Sequence, residues 1–250
     1  MGAFKAALIN EMFKLRKKRK LTAAAILSIL AVLVGQVAVT GVNLGFGLRV
    51  TGSTEFPLMV LTLMAYTVLP LLATFVAIDM FNGELATNTM KLTLTRPVSR
   101  FGIFCAKVLN LALFIVANLW FVMVLSLVAG WLFNPTSFSM AGLFKVFLAY
   151  TVTFLPIFVF ALGVVLLANV LSGGLAVFFV SVLLFVGFNF ISLLFSQFSS
   201  FLVTSMFDWY TQWIAQPLNG FKVLRQTLIL VGCGLMLFTA GYHLFDRKDI

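Results

Sequence analysis

Charge is what this sequence has least of. Of its 250 residues only 10% are Asp, Glu, Lys or Arg, and just 7 are acidic, whereas roughly a quarter of an ordinary water-soluble domain is charged. A chain this poor in charge cannot clothe a separate aqueous domain, so it reads as one membrane unit over 1–250. Catalytic chemistry is scarce as well. There is one histidine, His243, and there are two isolated cysteines, Cys105 and Cys233; their spacing excludes the usual metal sites and a CxxC redox pair. They read as packing residues, and His243 as an interfacial side chain near the end of the last apolar run. No GxxxxGK[ST] occurs, so the chain has no phosphate cradle of the P-loop kind. Inside the apolar runs the polar groups are neutral, among them Gln36, Asn110, Asn118, Asn169 and Asn189. That pattern argues against an ion-coupled carrier, which ordinarily keeps an ionisable group at such depth.

What fills the sequence instead is hydrocarbon. Hydrophobic residues make up 62% and the mean hydropathy is +1.13. Six runs, 21–40, 58–78, 108–132, 146–170, 175–195 and 228–244, come near the roughly 20 residues that cross a hydrocarbon core of about 30 Å. Runs such as "LLATFVAI" do not alternate as barrel strands do, and a helix satisfies its own backbone in lipid. The expectation is an all-α polytopic membrane protein with six spanning helices. The first run lacks a small-residue cleavage site and is followed by five more, so it reads as a span and not as a signal peptide.

The few charges are placed unevenly. Of the 17 Lys and Arg, only Arg49, Lys145, Lys222 and Arg225 fall on one side of the expected membrane. The other thirteen precede the first run (Lys5, Lys14, Arg16, Lys17, Lys18, Arg19, Lys20), sit between the second and third (Lys91, Arg96, Arg100, Lys107), or follow the sixth (Arg247, Lys248). The positive-inside rule then puts both termini in the cytoplasm. It also accounts for "KLRKKRK" and the net charge of +10, leaving no call for a nucleic-acid partner.

Three polar or amphipathic segments remain. In residues 1–20, Phe4, Leu8, Met12 and Leu15 recur at helical spacing while Lys5, Asn10, Glu11 and Lys14 fall elsewhere, which predicts an amphipathic elbow helix at the membrane surface. Segment 197–227 is too polar to span but rich in aromatics, notably Trp209, Tyr210 and Trp213, and reads as an extracytoplasmic interfacial or re-entrant element in contact with lipid. The third segment, "NGELATNTMKLTLTRPVSRF", is the largest expected cytoplasmic loop, 82–100. Asn82 is placed to cap a short helix carrying Glu84 in its first turn and ending near Thr95. Pro97 forces a break, and Ser99 is placed to cap the third span.

The stretch "GELATNTMKLTLTRPVSRFGIFCAK", with the basic start "LINEMFKLRKKRK" and the six runs, resembles the permease subunits of ABC-2-type ABC transporters, particularly bacterial ones of antimicrobial-peptide or bacitracin resistance and export. Glu84, Thr89, Lys91, Leu92, Leu94, Pro97, Val98, Ser99, Arg100 and Lys107 match that pattern, and Asn88 departs from a common glycine. The resemblance implies a coupling helix that docks on a separate cytoplasmic ABC ATPase, a second permease as homodimer or similar subunit, and residence in the bacterial cytoplasmic membrane. The chain would bind no cofactor itself, with ATP and Mg on the partner ATPase. Physically, Met90, Leu92 and Leu94 offer a small apolar contact rimmed by Glu84, Lys91, Arg96 and Arg100. The expected function is export or extraction of an amphipathic molecule; the alternatives are a non-transporting membrane sensor or assembly component and an ion-coupled carrier.

Overall fold

The protein is described from a computed structural model covering residues 2–17, 20–46, 51–86, 99–134, 139–195, 202–215 and 217–248. The elements in chain order are α1 (Gly2–Lys17), α2 (Lys20–Phe46), α3 (Phe56–Tyr66), α4 (Val68–Ala86), α5 (Arg100–Phe133), α6 (Met140–Val170), α7 (Gly174–Leu194), a 3₁₀ turn (Val203–Met206), α8 (Tyr210–Ile214) and α9 (Gly220–Asp246). There is no strand among the described residues. Helices α2, α5, α6, α7 and α9 are each long and apolar enough to cross a membrane, and α3 with α4 forms a sixth such unit bent by 45°. The protein is an all-α polytopic membrane protein.

Two features differ from the sequence expectation. Helices outlast their apolar runs: α5 begins at Arg100 and not near 108, and α9 covers Gly220–Asp246 and not 228–244. Hydropathy marks only what lipid covers, while the 34 residues of α5 rise about 51 Å at 1.5 Å each, well beyond the core. The second span is also not continuous. Pro70 lacks the N–H that would bond the Tyr66 carbonyl, and its ring would strike that carbonyl in an unbroken helix. The chain therefore stops at Thr67 and restarts, which places Pro70 in the first turn of α4, where no donor is needed.

Helix α6 is the centre of the bundle, packed against α4, α5 and α9. Ala149, Ala161 and Ala168 on its buried faces let neighbouring backbones approach closely, which is how helices associate in lipid, where burial of apolar surface gives no drive. Close approach recurs at the far end. A Cβ on Gly130 would lie 2.6 Å from the Ser53 carbonyl oxygen, so only glycine fits there. Two of the polar residues at the spans link helices by hydrogen bonds. Asn118 Nδ2 donates to Ser28 Oγ at 3.1 Å and Asn134 Nδ2 to Gln36 Oε1 at 3.2 Å, both tying α2 to α5. Helix α7 is peripheral, with only Val177 and Ser181 fully buried.

The aromatic segment turns inward. Phe207 packs at 5.8 to 5.9 Å between Tyr66, Phe160 and Phe185, all well inside their own spans, so residues 202–210 fold back between the helices. Trp209 and Tyr210, expected against lipid, are buried, and Trp213 is half-buried. Their polar atoms give the reason. Tyr210 Oη lies 2.7 Å from Thr62 Oγ1 and donates to the Leu58 carbonyl at 3.3 Å; burial pushes the phenol above its ordinary range, so it stays neutral. Trp209 Nε1 donates to the Val152 carbonyl at 3.2 Å. That carbonyl sits four residues before Pro156, which lies inside α6 and has no N–H to offer it. The indole occupies the donor position that the proline leaves empty.

Replacing Trp209 with Phe keeps most of the buried volume but orphans the Val152 carbonyl, which should cost about 1–3 kcal/mol. Pro156→Ala restores the missing N–H. Thermal unfolding in detergent should show Trp209→Phe lowering the Tm in the native background and much less in the Pro156→Ala background; equal losses in both would remove the carbonyl from the account.

Candidate functional site

At one end of the bundle the helix α1, the last turns of α4, the start of α5, the α6–α7 turn and the end of α9 converge. Helix α1 is rich in Ala, Leu, Met, Glu and Lys, all strong helix formers. Leu8, Glu11 and Leu15, spaced three and four apart, share the side turned to the bundle. The expected apolar stripe is therefore divided: Leu8 and Leu15 lean inward, while Phe4 and Met12 are exposed together with Ile9 and Phe13. Glu11, expected on the solvated face, is 4% exposed.

Lys107 is the cause. It stands in the second turn of α5 with no exposed surface, donating to Glu11 Oε2 at 3.3 Å and to the Met80 carbonyl of α4 at 2.8 Å. The ring of Phe81 lies 5.8 Å from its ammonium. A buried cation without a counter-charge costs far more than two apolar side chains left to lipid. Helix α1 thus settles with Glu11 inward. Lys14, 2.7 Å from Glu11 Oε1, closes the carboxylate's other side, and Asn110 Nδ2 donates to the Leu8 carbonyl at 3.2 Å.

A layer of rings lies alongside. Phe81, Phe104 and Phe245 form a mutual trio with centroids 5.5 to 6.2 Å apart, and Phe101 meets Tyr242 edge-on at 5.1 Å. Chain ends at this layer are tied by side chain to carbonyl bonds. Asn82 Nδ2 donates to Leu171, the C-cap of α6, at 2.8 Å. Arg100 donates to the carbonyls of Asp246, the last residue of α9, and of Lys248 just beyond it. Lys248 Nζ in turn donates to the Ala168 carbonyl at 3.3 Å, and burial pulls that ammonium below the ordinary lysine range.

These bonds fix both stumps of the segment singled out in the sequence. Asn82 is not a helix cap: α4 runs unbroken through it to Ala86, and its amide satisfies an end carbonyl of another helix. Glu84 lies in that same last stretch of α4. Ser99 caps α5, accepting from Gly102 N at 3.1 Å. Arg100 is engaged within the chain. Thr89, Met90, Lys91, Leu92, Leu94, Arg96 and Pro97 lie outside the described residues. What sequence reasoning missed is the Glu11–Lys107 pair. Its signal was present: Lys107 interrupts the approach to an apolar run, and Glu11 is the one acidic residue before the first span.

The pair is asymmetric, which makes it testable. Glu11→Ala removes a counter-charge from a fully buried ammonium that keeps its bond to the Met80 carbonyl, whereas Lys107→Met leaves Glu11 its contact with Lys14. Thermal unfolding should show Glu11→Ala costing about 2–4 kcal/mol and Lys107→Met distinctly less. Trypsin should reach the α1 lysines faster in the Glu11 variant; equal losses and unchanged cleavage would mean that α1 is held by its apolar contacts alone.

A family model described as "ABC-2 family transporter protein" matches residues 7–187, a stretch that contains Glu11, Lys107, Asn82 and both stumps. No curated protein matches the chain.

Proposed function

The chain belongs to the ABC-2 transporter family, and we propose that it is the permease subunit of an ATP-driven exporter or extractor of amphipathic molecules, such as antimicrobial peptides, in a bacterial cytoplasmic membrane. Both termini face the cytoplasm, by the placement of its basic residues. The observation that carries this reading is the braced end of the bundle. Residues 87–98 join α4 to α5, and the described residues on either side are anchored to α1, α6 and α9, so a displacement of the end of α4 or the start of α5 is shared by the whole layer.

A cytoplasmic ABC ATPase docks on this segment through Met90, Leu92 and Leu94, with Glu84, Thr89, Lys91, Arg96 and Pro97 around them. ATP and Mg belong to that partner, since the present sequence has no P-loop to hold them. Ser99 and Arg100 hold the returning stump. Closure of the ATPase pair tilts α4, and the break at Thr67 lets α4 move relative to α3 without unwinding either helix. Two permeases, identical or similar, pair across the membrane to enclose the path.

Replacing Leu92 and Leu94 with Glu removes the apolar centre of the interface, where a few side chains carry on the order of 2 kcal/mol each. Copurification with the ATPase encoded beside it should weaken more than tenfold, while the Tm of the permease stays unchanged. Arg96→Lys keeps the orienting charge and loses the guanidinium fork, so transport should fall with topology intact. Full ATPase association in the Leu92→Glu, Leu94→Glu variant would sink the docking assignment.

A further inference from the structure

Away from the braced end, a cavity of about 340 Å³ opens between α6, α7 and the 3₁₀ turn, within the roughly 300–1,000 Å³ range of small-molecule sites. Its wall is almost wholly apolar, including Val159, Gly163 and Leu167 of α6 and Leu184 and Phe188 of α7. Two polar side chains interrupt it among the described residues, Ser181 of α7 and Thr204 of the 3₁₀ turn. They are 2% and 1% exposed, and neither hydroxyl has a hydrogen-bond partner among the described residues. Phe160 and Ser181 also border a second apolar cavity of about 260 Å³ that reaches Tyr66, Thr67 and Pro70 at the break in the second span.

Serine and threonine hydroxyls in spans ordinarily bond back to a carbonyl of the preceding turn, as Thr74 does to Pro70 and Thr153 to Ala149. A buried hydroxyl that forgoes this costs free energy until something supplies a partner. Two such hydroxyls, one on α7 and one on the 3₁₀ turn, border a single apolar cavity and leave hydrogen-bonding capacity unfilled there. Each both donates and accepts, and no charged side chain among the described residues lines the wall, so the complementary group is uncharged. A headgroup bearing full charge would be stranded there. Helix α7 is the least embedded of the single-helix candidate spans among the described residues, so the cavity is walled from lipid on that side by one helix.

We propose that this cavity binds an uncharged single-chain amphiphile, its hydrocarbon chain along α6 and its ester, amide or hydroxyl group bonded to Ser181 and Thr204. This deepens the transport reading by naming a substrate class and its site. The second cavity, which shares Phe160 and Ser181 with this one, is the one that reaches Thr67 at the joint through which α4 is proposed to move.

The test uses the purified full chain in nanodiscs and a 1-monoacylglycerol carrying a chain diazirine, with crosslinks mapped by mass spectrometry. Labelling should fall on the α6 stretch around Gly163 and on residues 202–204, and unlabelled monooleoylglycerol should compete at least tenfold better than oleate or a hydrocarbon of equal length. Ser181→Ala with Thr204→Val, both nearly isosteric, should weaken competition about tenfold or more without lowering the Tm. Gly163→Leu fills the slot, where a Cβ meets only Leu237 at 3.9 Å, and should abolish labelling. Competition unchanged in the double hydroxyl variant, equal competition by the plain hydrocarbon, or labelling confined to other segments would each overturn the proposal. Ligand binding is read without the ATPase, so its failure is distinguishable from failure of the docking assignment.

Discussion

A fully buried ammonium governs the end of the molecule that matters most. Lys107 has no exposed surface, and a cation in that position requires a counter-charge and acceptor atoms in fixed places. Glu11 supplies the first and the Met80 carbonyl one of the second. The consequence spreads along the chain. Helix α1 is rotated to bring its carboxylate inward, its apolar residues Phe4, Met12 and Phe13 are left outward, and α4 is held against α5 where residues 87–98 begin and end. One ion pair thereby joins the amino-terminal helix, the second span and the third into a single mechanical unit.

The other organising constraint is that lipid offers no hydrogen bonds. Each interruption of a helix must be repaired by protein atoms. Pro156 removes a donor and Trp209 replaces it; the end of α6 exposes the Leu171 carbonyl and Asn82 covers it; carbonyls at the end of α9 are taken by Arg100. Ser181 and Thr204 are exceptions to this economy that border one cavity, their hydroxyls having no partner among the described residues. Pro70 is a different case: its consequence is a joint, placed where a tilting α4 would need one.

The family and the helical class were legible in the sequence because they rest on local quantities. Run length, hydropathy and the order of basic residues depend on neighbours in the chain, and so does the serine that caps α5. The span boundaries were less legible, since a helix continues into the polar layer as long as its own hydrogen bonds do. The break at Thr67 was readable in principle from Pro70. The placement of Asn82 was not, because a helix cap and a cross-chain donor call for the same side chain.

The sequence by itself determined the solvent. A charged fraction of 10% forces the chain into lipid, and lipid forces helices, through the cost of every unpaired backbone group. What only the tertiary structure decided is the pairing of its few polar side chains: Glu11 with Lys107, Trp209 with Val152, Asn118 with Ser28. These partners lie 57 to 96 residues apart. No local pattern specifies them, because each pairing follows from which helices lie side by side, and that is fixed by the shapes of the apolar faces between them.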